Sequence, residues 1–169
     1  MTDLTVASVT QSNWFGLFEP EQQRAITLAF ELLEREQQAQ NQFSDFSFII
    51  FPIAKAYEGF LKLFLFEMGL ISQEVYVGRH FRIGRALNPD ISINQRDQWW
   101  LYDDVVRLCG EEIARKLWQA WLSCRNHVFH YFPDAQNELT LTQVEKKMRL
   151  LVEVFESAWK CELKKKNRL

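Results

Sequence analysis

Ser47-Phe48-Ile49-Ile50-Phe51-Pro52-Ile53-Ala54-Lys55-Ala56-Tyr57-Glu58-Gly59-Phe60-Leu61-Lys62-Leu63-Phe64-Leu65-Phe66-Glu67-Met68 is the stretch whose reading decides the fold. Drawn as a helix it is apolar nearly all round, with Phe48, Ile49, Ile50, Phe51, Ile53, Ala54, Tyr57, Phe60, Leu61, Phe64 and Leu65 spread over the wheel. A helix of that kind lies at the centre of its fold, because every face needs an apolar neighbour. Pro52, Lys55, Glu58 and Lys62 interrupt the run, so it reads as a core helix and not as a membrane span. It opens at about Ser47 or Pro52, and Gly69 supplies its stop.

Helical patterns flank this segment on both sides. Residues 1–18 lack periodicity and read as an N-terminal arm, with Trp14, Phe15, Leu17 and Phe18 docking on the core. A first helix spans about Pro20 to Gln40: Pro suits the first helical position, Glu19 and Glu21 suit the N-terminal dipole, and Ala25, Leu28, Ala29, Leu32 and Leu33 form one stripe. Beyond the central helix, residues 70–97 are irregular, broken by Gly78, Gly84 and Asn88-Pro89-Asp90. A loop that long in a compact domain is functional or partly structured. Within it only Glu74-Val75-Tyr76-Val77 resembles a short strand.

A third helix, about Gln98 to Leu108, ends at Gly110; a fourth runs from Glu111 to about Phe129 or Phe132, where Pro133 disfavours its continuation. A fifth opens with Thr142-Gln143-Val144-Glu145, read as a capping box, and ends in the Lys-rich tail. The expected architecture is all-α, an antiparallel bundle of four to five helices with one long loop around 70–97. One domain covers 19–165, between the 1–18 arm and a basic tail at 166–169.

Composition narrows the function classes. Apolar residues make up 47% of 169 positions, enough to bury a core without staples. Fourteen Phe and six Trp point to a large aromatic core and to a homo-oligomeric face. The net charge of -2 gives no global field for nucleic acid, so RNA-directed activity needs a local basic site. Arg79-His80-Phe81-Arg82-Ile83-Gly84-Arg85 is the better of two such clusters, the other being the tail Lys164-Lys165-Lys166-Asn167-Arg168. Arg79, Arg82 and Arg85 are either phosphate contacts or solvated loop charges. Cys109, Cys124 and Cys161 are odd in number, far apart and without metal-ligand spacing, and read as buried thiols of a reducing compartment. Met1-Thr2-Asp3-Leu4 shows no basic region leading into an apolar run, so the cytoplasm is the expected location, with no membrane association.

Arg125-Asn126-His127-Val128-Phe129-His130 carries the chemistry. It sets a permanent cation, an amide and two imidazoles where a helix runs out before Tyr131-Phe132-Pro133. Arg offers a planar fork of donors to phosphate, and His moves a proton near neutral pH. Arg125 and His130 would together cleave an RNA phosphodiester by its own 2′-hydroxyl, with Asn126 orienting His130 or bonding phosphate and with no metal or cofactor required. On a continuous α-helix five residues turn by about 140° net, so Arg125 and His130 do not share a face. A loosened helix end, or two chains facing each other, eases that geometry. The plainer readings are an Arg capping carbonyls or pairing with a carboxylate, and a His favoured by the helix dipole. Glu58 on the apolar helix either pairs with Lys62 or Lys55, or stands by the Arg–His cleft to orient Arg125 or His130.

On these residues the chain resembles HEPN domains. Arg125-Asn126-…-His130 looks like their Arg-x4–6-His signature, at the end of the penultimate long helix. Ala54-Lys55-Ala56-Tyr57-Glu58-Gly59-Phe60-Leu61-Lys62 resembles their central helix, in particular that of RnlA/LsoA-type toxin ribonucleases. The resemblance spans about 20–165. It implies a metal-independent endoribonuclease acting as a homodimer on RNA, with Arg125, His130 and Asn126 at the catalytic site and Glu58 supporting it. It further implies the toxin of a toxin–antitoxin or defence system, with a cognate antitoxin protein. Other members implied by the same resemblance are non-catalytic scaffolds or RNA-binding modules. RnlA-type toxins are longer, with extra N-terminal domains.

Overall fold

A computed structural model describes residues 4–39, 43–133 and 138–166. Among these residues every regular element is helical and none is a strand. The chain order is α1 (Val6–Thr10), a 3₁₀ turn (Phe15–Leu17), α2 (Pro20–Ala39) and α3 (Ser47–Glu67), then the short α4 (Gln73–Val77) and α5 (Ile83–Ala86), and a second 3₁₀ turn (Ile93–Gln95). It continues with α6 (Tyr102–Cys109), α7 (Glu111–Ala120), a π-helical segment (Trp121–Asn126), α8 (His127–Phe129) and α9 (Leu141–Lys166). No described helix is long and apolar enough to cross a membrane.

The bundle is built around α3, which packs on α2, α9 and the π segment. Its side chains at Ile49, Ile50, Ile53, Tyr57, Leu61 and Leu65 are fully buried, as all-round apolarity demands. Each such burial removes apolar surface worth about 1.5–3 kcal/mol from water. Phe155 of α9 joins Tyr57, Phe60, Phe18 and Trp14 in one aromatic knot, with ring centroids 4.9–5.8 Å from its own. The Tyr57 hydroxyl donates to the Leu117 carbonyl at 2.7 Å and ties α3 to α7; burial pushes that phenol well above its ordinary range. Gly69 (φ 69°) and Gly110 (φ 90°) occupy left-handed backbone at the ends of α3 and α6, where a Cβ would be strained.

Several expectations are corrected. The 1–18 arm docks through Trp14 and Phe18, and within it lies a short helix not read from the sequence: Thr5 caps α1, and the Val6 N–H donates to Glu34 Oε1 of α2 at 2.8 Å. Long-range anchoring of this kind leaves no periodicity to read. Glu74–Val77 is helical, capped by Ser72, and the 70–97 stretch holds α4, α5 and a 3₁₀ turn. The third helix begins at Tyr102, not Gln98, because Asp97 Oδ1 accepts the Trp99 N–H and turns the chain there. Trp99 and Trp100 therefore lie in the loop, not on a helix face. The cap of α9 is Thr140, whose side chain and N–H pair reciprocally with Gln143; the box sits two residues before Thr142. Gln40, which closed the first helix, and residues 167–169 of the basic tail lie outside the described residues.

The reading of the cysteines as thiols is corrected too. Cys109, at the end of α6, and Cys161, in α9, form a disulfide with Cα atoms 5.6 Å apart, inside the roughly 4.4–6.8 Å such bridges span. Cys124 is the free thiol; burial pushes it up, and the Ser123 hydroxyl and Lys147 pull part of the way back.

Candidate functional site

The Arg-x4-His motif sits where the α7 helix changes its winding. In the segment Trp121–Asn126 the backbone takes π-helical turns, and the His127 N–H donates to the Leu122 carbonyl five residues back. An α-helix would have offered that N–H to Ser123. The Ser123 carbonyl accepts instead from Lys147 Nζ of α9 at 2.7 Å, so a side chain from another helix satisfies what the widened turn releases. One α turn follows. His130 then leaves the helix in extended backbone (φ -111°, ψ 134°), its N–H still held by the Asn126 carbonyl at 3.2 Å. The helix thus loosens before Pro133, and the winding that sets Arg125 and His130 on different faces does not persist through the motif.

Arg125 is the best-anchored residue of the motif. Its Nε and one Nη donate to the same Glu58 carboxylate oxygen, both at 3.3 Å, across 67 residues of sequence. Its guanidinium also lies over the Trp121 ring at 5.2 Å and the Phe129 ring at 5.8 Å. The pair is partly exposed, 29% for Arg125 and 44% for Glu58, so its worth to stability is small and its effect is orientation. The Lys partners weighed for Glu58 are engaged elsewhere. Lys55 pairs with Glu21 at 3.5 Å, and Lys62 Nζ donates to the carbonyls of Tyr76 and Gly78 at 3.1 and 2.5 Å.

The remaining motif residues are less constrained. His130 is exposed, and among the described residues its imidazole makes no hydrogen bond. No hydrogen bond or ring contact joins it to Arg125, Glu58 or Asn126 within the described chain. Asn126 is half-buried, with no side-chain partner among the described residues. His127 lies edge-on to Phe132 at 5.7 Å and lines a depression of about 650 Å³ with Lys146 and Lys147 of α9.

The 78–85 segment reaches the π-helical turn at one point. Gly84 packs so tightly on Trp121 that a Cβ there would stand 2.6 Å from the indole nitrogen. The loop therefore touches the ring on which Arg125 rests. Arg79 and Arg82 are exposed and have no carboxylate partner among the described residues. Arg85 is used inside the loop, donating to the Gln95 carbonyl at 2.7 Å and to Asp97 at 3.0 Å. One Arg85 nitrogen therefore serves the turn that positions Trp99. The Trp99 N–H and the Arg85 guanidinium together hold the Asp97 carboxyl below its usual range.

Beside this loop lies a cavity of about 440 Å³, lined by Val75, Phe81 and Trp99 with His80, Arg82 and Arg85. Among the described residues no three His, Cys, Asp or Glu side chains converge as a metal ion would need. A row of exposed aromatics, Phe43, Phe48 and Phe51, runs along the start of α3 and reaches the motif through Phe51 against Phe129, centroids 5.3 Å apart. Local spacing encodes the Arg–His pair and the carboxylate on the apolar helix, but neither the choice of Arg125 over the nearby lysines as the partner of Glu58 nor the exposed aromatic row. Compared with family models, curated proteins and solved structures, the chain matches none.

Proposed function

We propose that this chain is a HEPN-like endoribonuclease that cleaves RNA by attack of the 2′-hydroxyl on the adjacent phosphorus. The observation that carries the reading is the Arg125–Glu58 pair in a π-helical turn of a helix that ends five residues on at His130, exposed and with no imidazole hydrogen bond among the described residues. Glu58 and the two flanking rings hold the guanidinium, so a phosphate meets a cation already oriented. His130 takes the 2′-OH proton as the 2′-oxygen bonds to phosphorus, or in protonated form gives one to the departing 5′-oxygen. The bond from phosphorus to the 5′-oxygen breaks, leaving a 2′,3′-cyclic phosphate and a 5′-hydroxyl. Arg125 stabilises the charge gathered on the non-bridging oxygens. Asn126 is the remaining polar group for phosphate or for His130.

A single chain offers one such imidazole for two proton transfers. The exposed Phe43, Phe48 and Phe51 row supports a homodimer in which a second copy supplies the other, since a contiguous apolar patch beside a polar site marks an interface. The role of toxin, with an antitoxin partner, rests on the resemblance alone.

A second reading has one observation in its favour. Arg125 is already paired with a carboxylate, as it would be in a non-catalytic HEPN-like module whose motif holds the fold or a partner protein.

Purified wild type, Arg125→Ala and His130→Ala, incubated with mixed cellular RNA in EDTA, separate the two. Cleavage by wild type alone, leaving 2′,3′-cyclic ends, is expected. A folded wild type that cleaves nothing, or variants that cleave as it does, would overturn the ribonuclease.

A further inference from the structure

The cavity at Phe81 and Trp99 has the composition of a nucleobase site and is separate from the residues assigned to bond cleavage. Its volume, about 440 Å³, falls within the range of small-molecule pockets. Its walls combine apolar surface with two aromatic rings, whose centroids are 6.5 Å apart at 67°. Trp99 is 42% exposed, and its backbone is fixed by Asp97. An indole presented to solvent on a clamped loop is pre-ordered for stacking. The neighbouring turn is equally fixed: Trp100 Nε1 donates to the Asn88 carbonyl at 2.8 Å, and Arg96 stacks over the Trp100 ring at 3.9 Å.

The charges around the cavity are ordered in a way that suits a nucleotide. Arg85 pairs with Asp97, whereas the Arg82 guanidinium on the cavity wall has no ion-pair partner among the described residues and can meet a phosphate. Glu74 also lines the cavity, an acceptor matched to the amino groups on a base edge. A planar heterocycle carrying a phosphate satisfies the rings, the cation and the carboxylate together. A base stacked within a duplex cannot enter such a cavity, whereas an unpaired one can.

We propose that this cavity binds one unpaired nucleobase of single-stranded RNA, stacked on Trp99 and Phe81 with its phosphate on Arg82. The inference rests on the RNA reading above and gives it a specificity element. The Gly84–Trp121 contact links the two, because the loop that forms the cavity touches the ring beneath Arg125. A strand anchored there by one base would present a neighbouring phosphodiester to the Arg125–His130 end of the helix.

The test is fluorescence anisotropy with a short labelled single-stranded oligoribonucleotide, using the uncleaving His130→Ala protein as the parent. Adding Trp99→Ala or Arg82→Gln, both at exposed positions that leave the core intact, is expected to weaken binding roughly tenfold or more. The same oligonucleotide as a duplex, or with its bases removed, is expected to bind the parent as weakly as the single strand binds the Trp99→Ala protein. Unchanged affinity in folded Trp99→Ala, equal binding of duplex and single strand, or no binding of any RNA would each overturn the inference. Cleavage is scored separately with Trp99 intact. Trp99-dependent binding without cleavage would remove the nuclease and keep the base site; cleavage with Trp99-independent binding would do the reverse.

Discussion

Reducing the Cys109–Cys161 bond removes a constraint from the unfolded chain, and its size follows from the position of the bridge. The two cysteines are 52 residues apart. The loop-closure relation then gives about 14 cal/mol/K of entropy returned to the denatured ensemble, or about 4 kcal/mol at 25 °C. For a domain whose whole stability is roughly 5–15 kcal/mol that is a large fraction. The bond also joins the end of α6 to the half of α9 that packs beyond Phe155, so its loss frees both ends of that contact. Urea unfolding followed by tryptophan fluorescence reads the effect, since Trp14 is buried in the aromatic knot and is exposed on unfolding. With a slope of about 2 kcal/mol/M, reductant is expected to lower the wild-type midpoint by roughly 2 M. Cys109→Ser should show the lower midpoint without reductant and no further shift with it. The reasoning is refuted if denatured, unreduced wild type titrates as three free thiols, or if reductant leaves its midpoint where it was.

Two further outcomes follow from single contacts. Glu58→Gln should cost under about 1 kcal/mol of stability, because the pair with Arg125 is exposed, yet slow RNA cleavage about 10- to 100-fold through misplacement of the guanidinium; parallel thermal melts and initial rates check it, and an unchanged rate would free Arg125 from Glu58. Burial raises the Asp45 carboxyl, but the Leu139 N–H at 3.0 Å and the Ser47 hydroxyl and N–H at 2.7 and 2.9 Å outweigh it and hold the group below its ordinary range. A carboxyl depressed in the folded state lends stability above its unfolded pKa of about 4 and loses it as pH falls through the folded value, so Asp45→Asn should flatten the acid side of a melting-temperature profile between about pH 5 and 2; an acid limb identical to wild type would refute this.

Much of the fold was legible because its signals are local. The all-round apolarity of 47–68 calls for neighbours on every side, and α2, α9 and the π segment supply them except at Phe48 and Phe51, which stay exposed. Gly69 and Gly110 stop helices for a reason confined to one residue, the left-handed backbone each adopts. The misreadings share a cause. Thr142 matched a capping pattern, but Thr140 offered another two residues earlier, and only the path of the chain before α9 chooses between them. Gln98 to Leu101 carried helix-like apolar spacing, but an Asp97 side chain in its own turn outcompeted it.

Taken alone, then, the chain determined a helical bundle around α3 and an Arg and a His five residues apart at a helix end, because periodicity, caps and spacing act within a turn or two. What the tertiary structure alone decided is what surrounds them. The partner of Glu58 stands 67 residues away, and the partner of Cys109 stands 52 away. The winding under Arg125 is held open by Lys147, a lysine of another helix. Such choices depend on which helix faces reach contact after packing: Lys55 and Lys62 both satisfy the local rule for pairing with Glu58, yet packing turns them to Glu21 and to the Tyr76 and Gly78 carbonyls and brings Arg125 to the carboxylate instead.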